Sequence, residues 1–100
     1  MIVIHAKLET TAGAIDAMRA AIATMEKASR AEPGCVEYVF TTPLESPTTI
    51  RIFEQWRSRE ALKEHFATPH MAAFNAAVRA HPPKSLDVKC FEANEIPFPR

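Results

Sequence analysis

A few residues in this chain have side chains and neighbours suited to chemistry. His65 falls between Leu62 and Phe66, on what the spacing predicts to be the apolar face of a helix. An imidazole there exchanges a proton near neutral pH, and a cleft can use it as a general base. The plainer reading is a half-buried, hydrogen-bonded histidine. Glu54 and Trp56 are two residues apart on a predicted strand, so they share a face with Ile50 and Ile52. The indole is then either core packing at a strand end or the wall of a pocket for a flat aromatic molecule. A carboxylate buried beside it needs a basic partner or a backbone donor.

Other chemistries find little support. His65 and His70 are separated by five positions with Pro69 between them, which is no reliable two-ligand spacing on one helix face. No HExxH occurs, and glycine stands only at 13 and 34, so no phosphate-cradling loop is present. The expectation is no metal and no cofactor. His5 and His81 are most simply surface or interface residues. Cys35 and Cys90 form no CxxC pattern and read as free thiols in a reducing cytosol, which makes the expected location cytoplasmic.

The elements that must position these residues follow from pattern. Residues 2–8 alternate as a strand, with Ile2, Ile4, Ala6 and Leu8 on one face. Thr10-Thr11-Ala12-Gly13 reads as a turn. A helix is predicted from about 14 to 30, with Ile15, Met18, Ile22 and Met25 as its apolar stripe. Glu32-Pro33-Gly34 breaks it. Strands at 35–41 and 49–56, joined by a proline-containing loop, read as a hairpin. Ser58 can cap a short helix over 59–67. Thr68-Pro69 opens another helix carrying Met71, Phe74 and Val78, and 86–91 is the last strand.

The order β-α-β-β-α-β is the ferredoxin-like arrangement: α+β, a four-stranded antiparallel sheet with helices on one face. Residues 1–92 form one domain, and 93–100 a tail. The second sheet face is expected to carry groups such as Phe53 or Tyr38, which a monomer of 100 residues can hardly cover. That points to a homodimer packed sheet to sheet. With 12 basic and 12 acidic residues the net charge is zero, which gives no electrostatic footprint for nucleic acid or an anionic membrane. No apolar run approaches the roughly 20 residues a membrane span needs.

Two stretches carry a resemblance to a known family. Ala31-Glu32-Pro33-Gly34-Cys35 followed by Tyr38 is one. Glu54-Gln55-Trp56-Arg57-Ser58-Arg59-Glu60-Ala61-Leu62, then His65, Thr68-Pro69-His70 and Phe74, is the other. Together they resemble the antibiotic-biosynthesis monooxygenase domain, with matching spacing from Met1 to about Phe91. The resemblance implies a dimeric α+β barrel. It also implies oxidation of phenolic, quinol or polycyclic aromatic substrates by dioxygen without metal, haem or flavin. In such chemistry the protein removes a phenolic proton and shields the electron-rich ring in a dry pocket.

On that reading His65 is the base or oxyanion donor, and Trp56 and Phe74 are walls. A haem-degrading branch of the family uses an Asn, a Trp and a His at positions that fall here on Ala6, His65 and Asn75, and none is retained. An isomerase-like branch acts on a phosphorylated sugar, and no arginine cluster for a phosphate is evident here. A non-catalytic dimeric binding or stress-related module is the alternative from another class. The pocket is expected inside one subunit, between the sheet and the two later helical segments. Its lining is expected to include His65, Phe66, Met71 and Phe74, with Glu54 on the strand beside Trp56. Ala6 would leave space, and Trp56 would close one end.

Overall fold

The computed structural model describes residues 1–100. The chain runs β1 (Ile2–Glu9), α1 (Ala12–Arg30), β2 (Cys35–Thr41), β3 (Thr49–Trp56), α2 (Arg59–Phe66), α3 (Pro69–Ala80) and β4 (Ser85–Glu92). All strand pairs are antiparallel and the sheet order is β2-β3-β1-β4. This is the expected ferredoxin-like α+β fold, with its second helical segment split in two. No helix is long and apolar enough to cross a membrane.

Local chemistry sets each boundary. Thr11 has extended backbone and its side chain accepts from the Ala14 N–H, so α1 begins at Ala12. The turn expected at Thr10–Gly13 is therefore shorter, because a threonine cap starts the helix two residues early. Ser58 caps α2 through the Ala61 N–H, and Thr68 caps α3 through the Met71 N–H with Pro69 at its start. The Thr68 hydroxyl also donates to the His65 carbonyl at 2.7 Å, satisfying an orphan acceptor at the end of α2. Two caps on successive short helices thus fix how His65 and Phe74 are presented to the sheet.

The core lies between α1, α2, α3 and one sheet face. Ile2 and Ile4 from β1 join Met18 and Met25 from α1, Tyr38, Trp56, Leu62 and Phe74 in one cluster. Ala6, Leu8, Ile50 and Ile52 form a second. The stripe of α1 extends one step beyond Met25 to Ser29, which is fully buried. Off the stripe, Glu26 accepts from the Phe40 N–H and Arg30 donates to the Tyr38 carbonyl, both at 2.9 Å. Those bonds tie α1 to the backbone of β2, an edge strand whose free groups would otherwise face outward.

One expectation about faces changes. Tyr38 pairs in register with Glu54, so it points at the helices and is buried. Phe53 alone of the two lies on the open face, opposite His5 and Val39. The register shifts between Cys35 and Glu37, which leaves Val36 as a bulge and sets the phase of Tyr38 and Phe40. Leu86 and Val88 of β4 pair with the buried Leu8 and Ala6, yet they are 59% and 54% exposed. The helical layer stops short of β4.

Candidate functional site

Strand β3 delivers a carboxylate and an indole to the helix-covered face. Its period of two puts Glu54 and Trp56 side by side, both buried. The Trp56 Nε1–H donates to Glu54 Oε1 at 2.9 Å. Burial pushes the Glu54 carboxyl above its ordinary value, while the indole hydrogen bond and the nearby His65 pull the other way. Tyr38 stands across the ladder from Glu54. Burial pushes its phenol upward as well, reinforced by the Glu54 charge. The phenol therefore stays neutral and remains a hydrogen-bond donor.

Helix α2 places Leu62 and His65 one turn apart on its inner face. His65 is 1% exposed. Its ring lies over Trp56 at 4.5 Å between centroids and against Tyr38 at 5.5 Å. Nδ1 of His65 meets Glu32 Oε2 at 2.7 Å. His70 Nε2, from the first turn of α3, meets the same oxygen at 2.8 Å. A carboxylate oxygen only accepts, so both contacting ring nitrogens donate to it.

Glu32 reaches this point because the chain turns sharply after α1. The Glu32 N–H donates to Ser29 O, and the Cys35 N–H donates to Glu32 O at 3.0 Å. Gly34 completes the turn and accepts from the Arg57 N–H at 2.9 Å. A Cβ on Gly34 would lie 2.3 Å from the Ala61 Cβ, so the turn and α2 approach as closely as they do because residue 34 has no side chain.

A cavity of about 220 Å³ opens between the sheet and α2–α3. Ala6, Tyr38, Glu54, Phe66, Met71 and Phe74 border it, and Leu86 and Val88 form its β4 side. Apart from Glu54 and Tyr38 its ionisable lining is nil, and most of the wall is apolar. The structure thus brings Ala6, Glu54, Phe66, Met71 and Phe74 to one space. It sets His65 and Trp56 outside that lining, with Trp56 fully buried and bonded to Glu54, and the His65 ring tilted against Trp56.

Two functional candidates emerge only from the fold. Tyr38 could be found in the sequence by pairing the two strands, but the bulge at Val36 hides its phase. Glu32 lies 33 positions from His65 and 38 from His70, inside a segment that reads only as a helix-breaking turn. Its signal is an acid placed directly before Pro33-Gly34.

Comparison with known proteins agrees with this arrangement. The family model described as antibiotic biosynthesis monooxygenase matches residues 1–77. A solved structure from Deinococcus radiodurans superposes with a TM-score of 0.89 at 25% identity, covering 100% of this chain and 99% of that one. Rv0793 from Mycobacterium tuberculosis superposes with a TM-score of 0.84 at 27% identity, over 95% of this chain and 96% of that one. In sequence, Rv0793 is 37% identical over 62 residues, 62% of this chain and 60% of that protein. The protein sll1783 of Synechocystis is 41% identical over 51 residues, 51% of this chain and 35% of that protein. The matched stretches thus cover under two thirds of both curated relatives.

Proposed function

Because the chain belongs to the antibiotic biosynthesis monooxygenase family, we propose that it oxidises a small phenolic or quinol substrate with dioxygen, without a cofactor, in the cavity beside Glu54. The observation that carries this reading is a buried carboxyl with a raised pKa on the wall of an otherwise apolar space, next to a neutral phenol. A carboxyl pushed upward is a better base than an ordinary one once it ionises. Glu54 takes the phenolic proton. The Tyr38 hydroxyl donates to the resulting oxyanion. Met71 and Phe74, with a second copy laid over the exposed Phe66, Leu86 and Val88, exclude water from the electron-rich ring. For a quinol, one oxygen atom enters the ring as a hydroxyl and the other leaves as water, and the substrate supplies all four electrons.

In this reading His65 is a positioning residue. It supports the face of Trp56, and Trp56 holds Glu54 by its indole N–H. The assignment of the proton to Glu54 rather than His65 follows from which of the two borders the cavity. A homodimer accompanies the proposal. Leu86 and Val88 on β4, with Ile96 and Phe98 of the tail, expose apolar surface that a second copy would cover.

Dioxygen consumption with a menadiol-type quinol tests this. The wild-type chain is expected to turn over, Glu54→Gln to lose about 10²-fold or more, and His65→Gln to retain most of its rate. If His65→Gln is silenced while Glu54→Gln is not, His65 is the base. If the wild type binds the quinol but consumes no oxygen, the chain is a binding module.

A further inference from the structure

The cavity leaves Glu32, His65 and His70 unused, although three separate elements converge to bring them together. We infer that Glu32, His65 and His70 form a binding site for one divalent first-row transition metal ion of the zinc or cobalt type. The Glu32 carboxylate oxygen, His65 Nδ1 and His70 Nε2 all lie within 4.8 Å of one another. Ligand atoms around tetrahedral zinc stand about 3.3 Å apart, given bonds near 2.0–2.1 Å. The carboxylate oxygen is now 2.7 and 2.8 Å from the two nitrogens. A retreat of the carboxylate by about half an ångström from each nitrogen, with the two nitrogens, now within 4.8 Å, closing to the same spacing, makes room for an ion with ordinary bond lengths. The protons on His65 Nδ1 and His70 Nε2 leave as the ion binds, passing to the other ring nitrogen or to solvent.

The donor set also sorts the metals. Two imidazoles and one carboxylate suit borderline ions and not magnesium or calcium, which take all-oxygen shells. Three protein ligands leave at least one position for water. Access comes from the His70 side. His70 and Glu32 have partly exposed side chains, at 18% and 13%, whereas His65 is sealed. His70 also borders a cleft of about 230 Å³ between α1 and α3, lined by Ala20, Thr24 and Ala73 among others. An ion seated here would clamp the turn after α1 to the junction of α2 and α3, behind Trp56 and outside the oxidation cavity. The sequence expectation of no metal rested on the five-residue separation of His65 and His70. Pro69 starts a new helix between them, so the two rings approach from different helices and that spacing rule does not apply.

The test uses tag-free, chelator-treated full-length protein titrated with ZnCl2 by calorimetry and with CoCl2 by visible absorption. One ion per chain is expected, with cobalt bands of low-symmetry coordination and a zinc-dependent rise in Tm. His70→Ala and Glu32→Gln should each weaken zinc by more than the 10–100-fold typical of losing an outer-shell partner. Both sites are partly exposed, so these variants should fold, which circular dichroism checks. His81→Ala should bind as the wild type does. Absence of zinc binding at micromolar metal, or binding undiminished in both ligand variants, overturns the site and leaves a hydrogen-bonded cluster only. Quinol oxidation is not part of the readout, so its failure and that of the metal site are separable.

Discussion

The Trp56 indole N–H donates to Glu54 Oε1 at 2.9 Å, and that bond gives a buried carboxyl on the cavity wall its only side-chain donor. One hydrogen bond does not offset burial, so the carboxyl remains above its ordinary value of 4.5. The same side chain therefore links stability to reactivity with opposite signs.

The first consequence concerns pH. A carboxyl raised in the folded state holds its proton longer than in the unfolded chain. Its contribution to stability is full below 4.5 and is lost as pH rises through the folded value. Activity moves the other way, rising as Glu54 ionises. Glu54→Gln should flatten the fall of Tm with pH in that window and abolish the rise in rate. Paired thermal melts and oxygen-electrode profiles of both proteins check this. A wild-type Tm that does not fall relative to the variant would remove the raised carboxyl from the account.

Space in the cavity depends on Ala6. It lies between Ile52 and Val88 in the ladder and borders the cavity with its methyl group. Ala6→Leu should raise KM for a quinol by about tenfold, the order expected when an apolar pocket must give up a methylene or more. Circular dichroism should be unchanged. Normal KM would mean that substrate sits elsewhere.

Gly34 limits how the turn meets α2. Gly34→Ala drives a methyl into Ala61, and should cost about 1–3 kcal/mol, as overpacking does. Urea denaturation measures it. Because the shift displaces Glu32 relative to His65, the variant should also lose zinc affinity. Unchanged stability would show that the two segments part without strain.

Association follows from the uncovered side of β4. Leu86, Val88, Ile96 and Phe98 are exposed apolar groups in one small domain. Sedimentation equilibrium at micromolar concentration should give twice the chain mass, and Val88→Lys should shift it toward the single chain. A wild-type monomer at that concentration would contradict the expectation.

The sheet and helices were legible because their signals are local. Alternation in Ile2–Leu8 and Thr49–Trp56, the stripe on α1, and the Ser58 and Thr68 caps all act within a few residues. The site was legible only in part. Ala6, Glu54, Met71 and Phe74 declare their faces by period alone and reach one cavity. The position of His65 was less visible, because helical period gives its inward direction but not whether it meets space or the indole of Trp56. The face of Tyr38 is hidden in the sequence because a bulge changes parity without changing composition. Glu32 was invisible as a partner, since its two histidines are brought to it by tertiary folding alone.

The bulge at Val36 makes β2 a strand that counts. Gly34 anchors one end of it through Arg57, and Glu26 and Arg30 grip its backbone further along at Phe40 and Tyr38. Losing Val36 would only remove the bulge, leaving Glu37 opposite Gln55 and Tyr38 opposite Glu54. Adding one residue between Glu37 and Tyr38, where the pairing is regular, would reverse the parity of everything downstream to the loop. The phenol of Tyr38 would turn outward and the side chain of Val39 inward, without any change in hydrophobic content. An insertion is therefore tolerable in the loop at 42–48 and carries a heavy penalty in the short stretch from Glu37 to Tyr38. That segment acts as a ruler for the cavity as much as a wall of it.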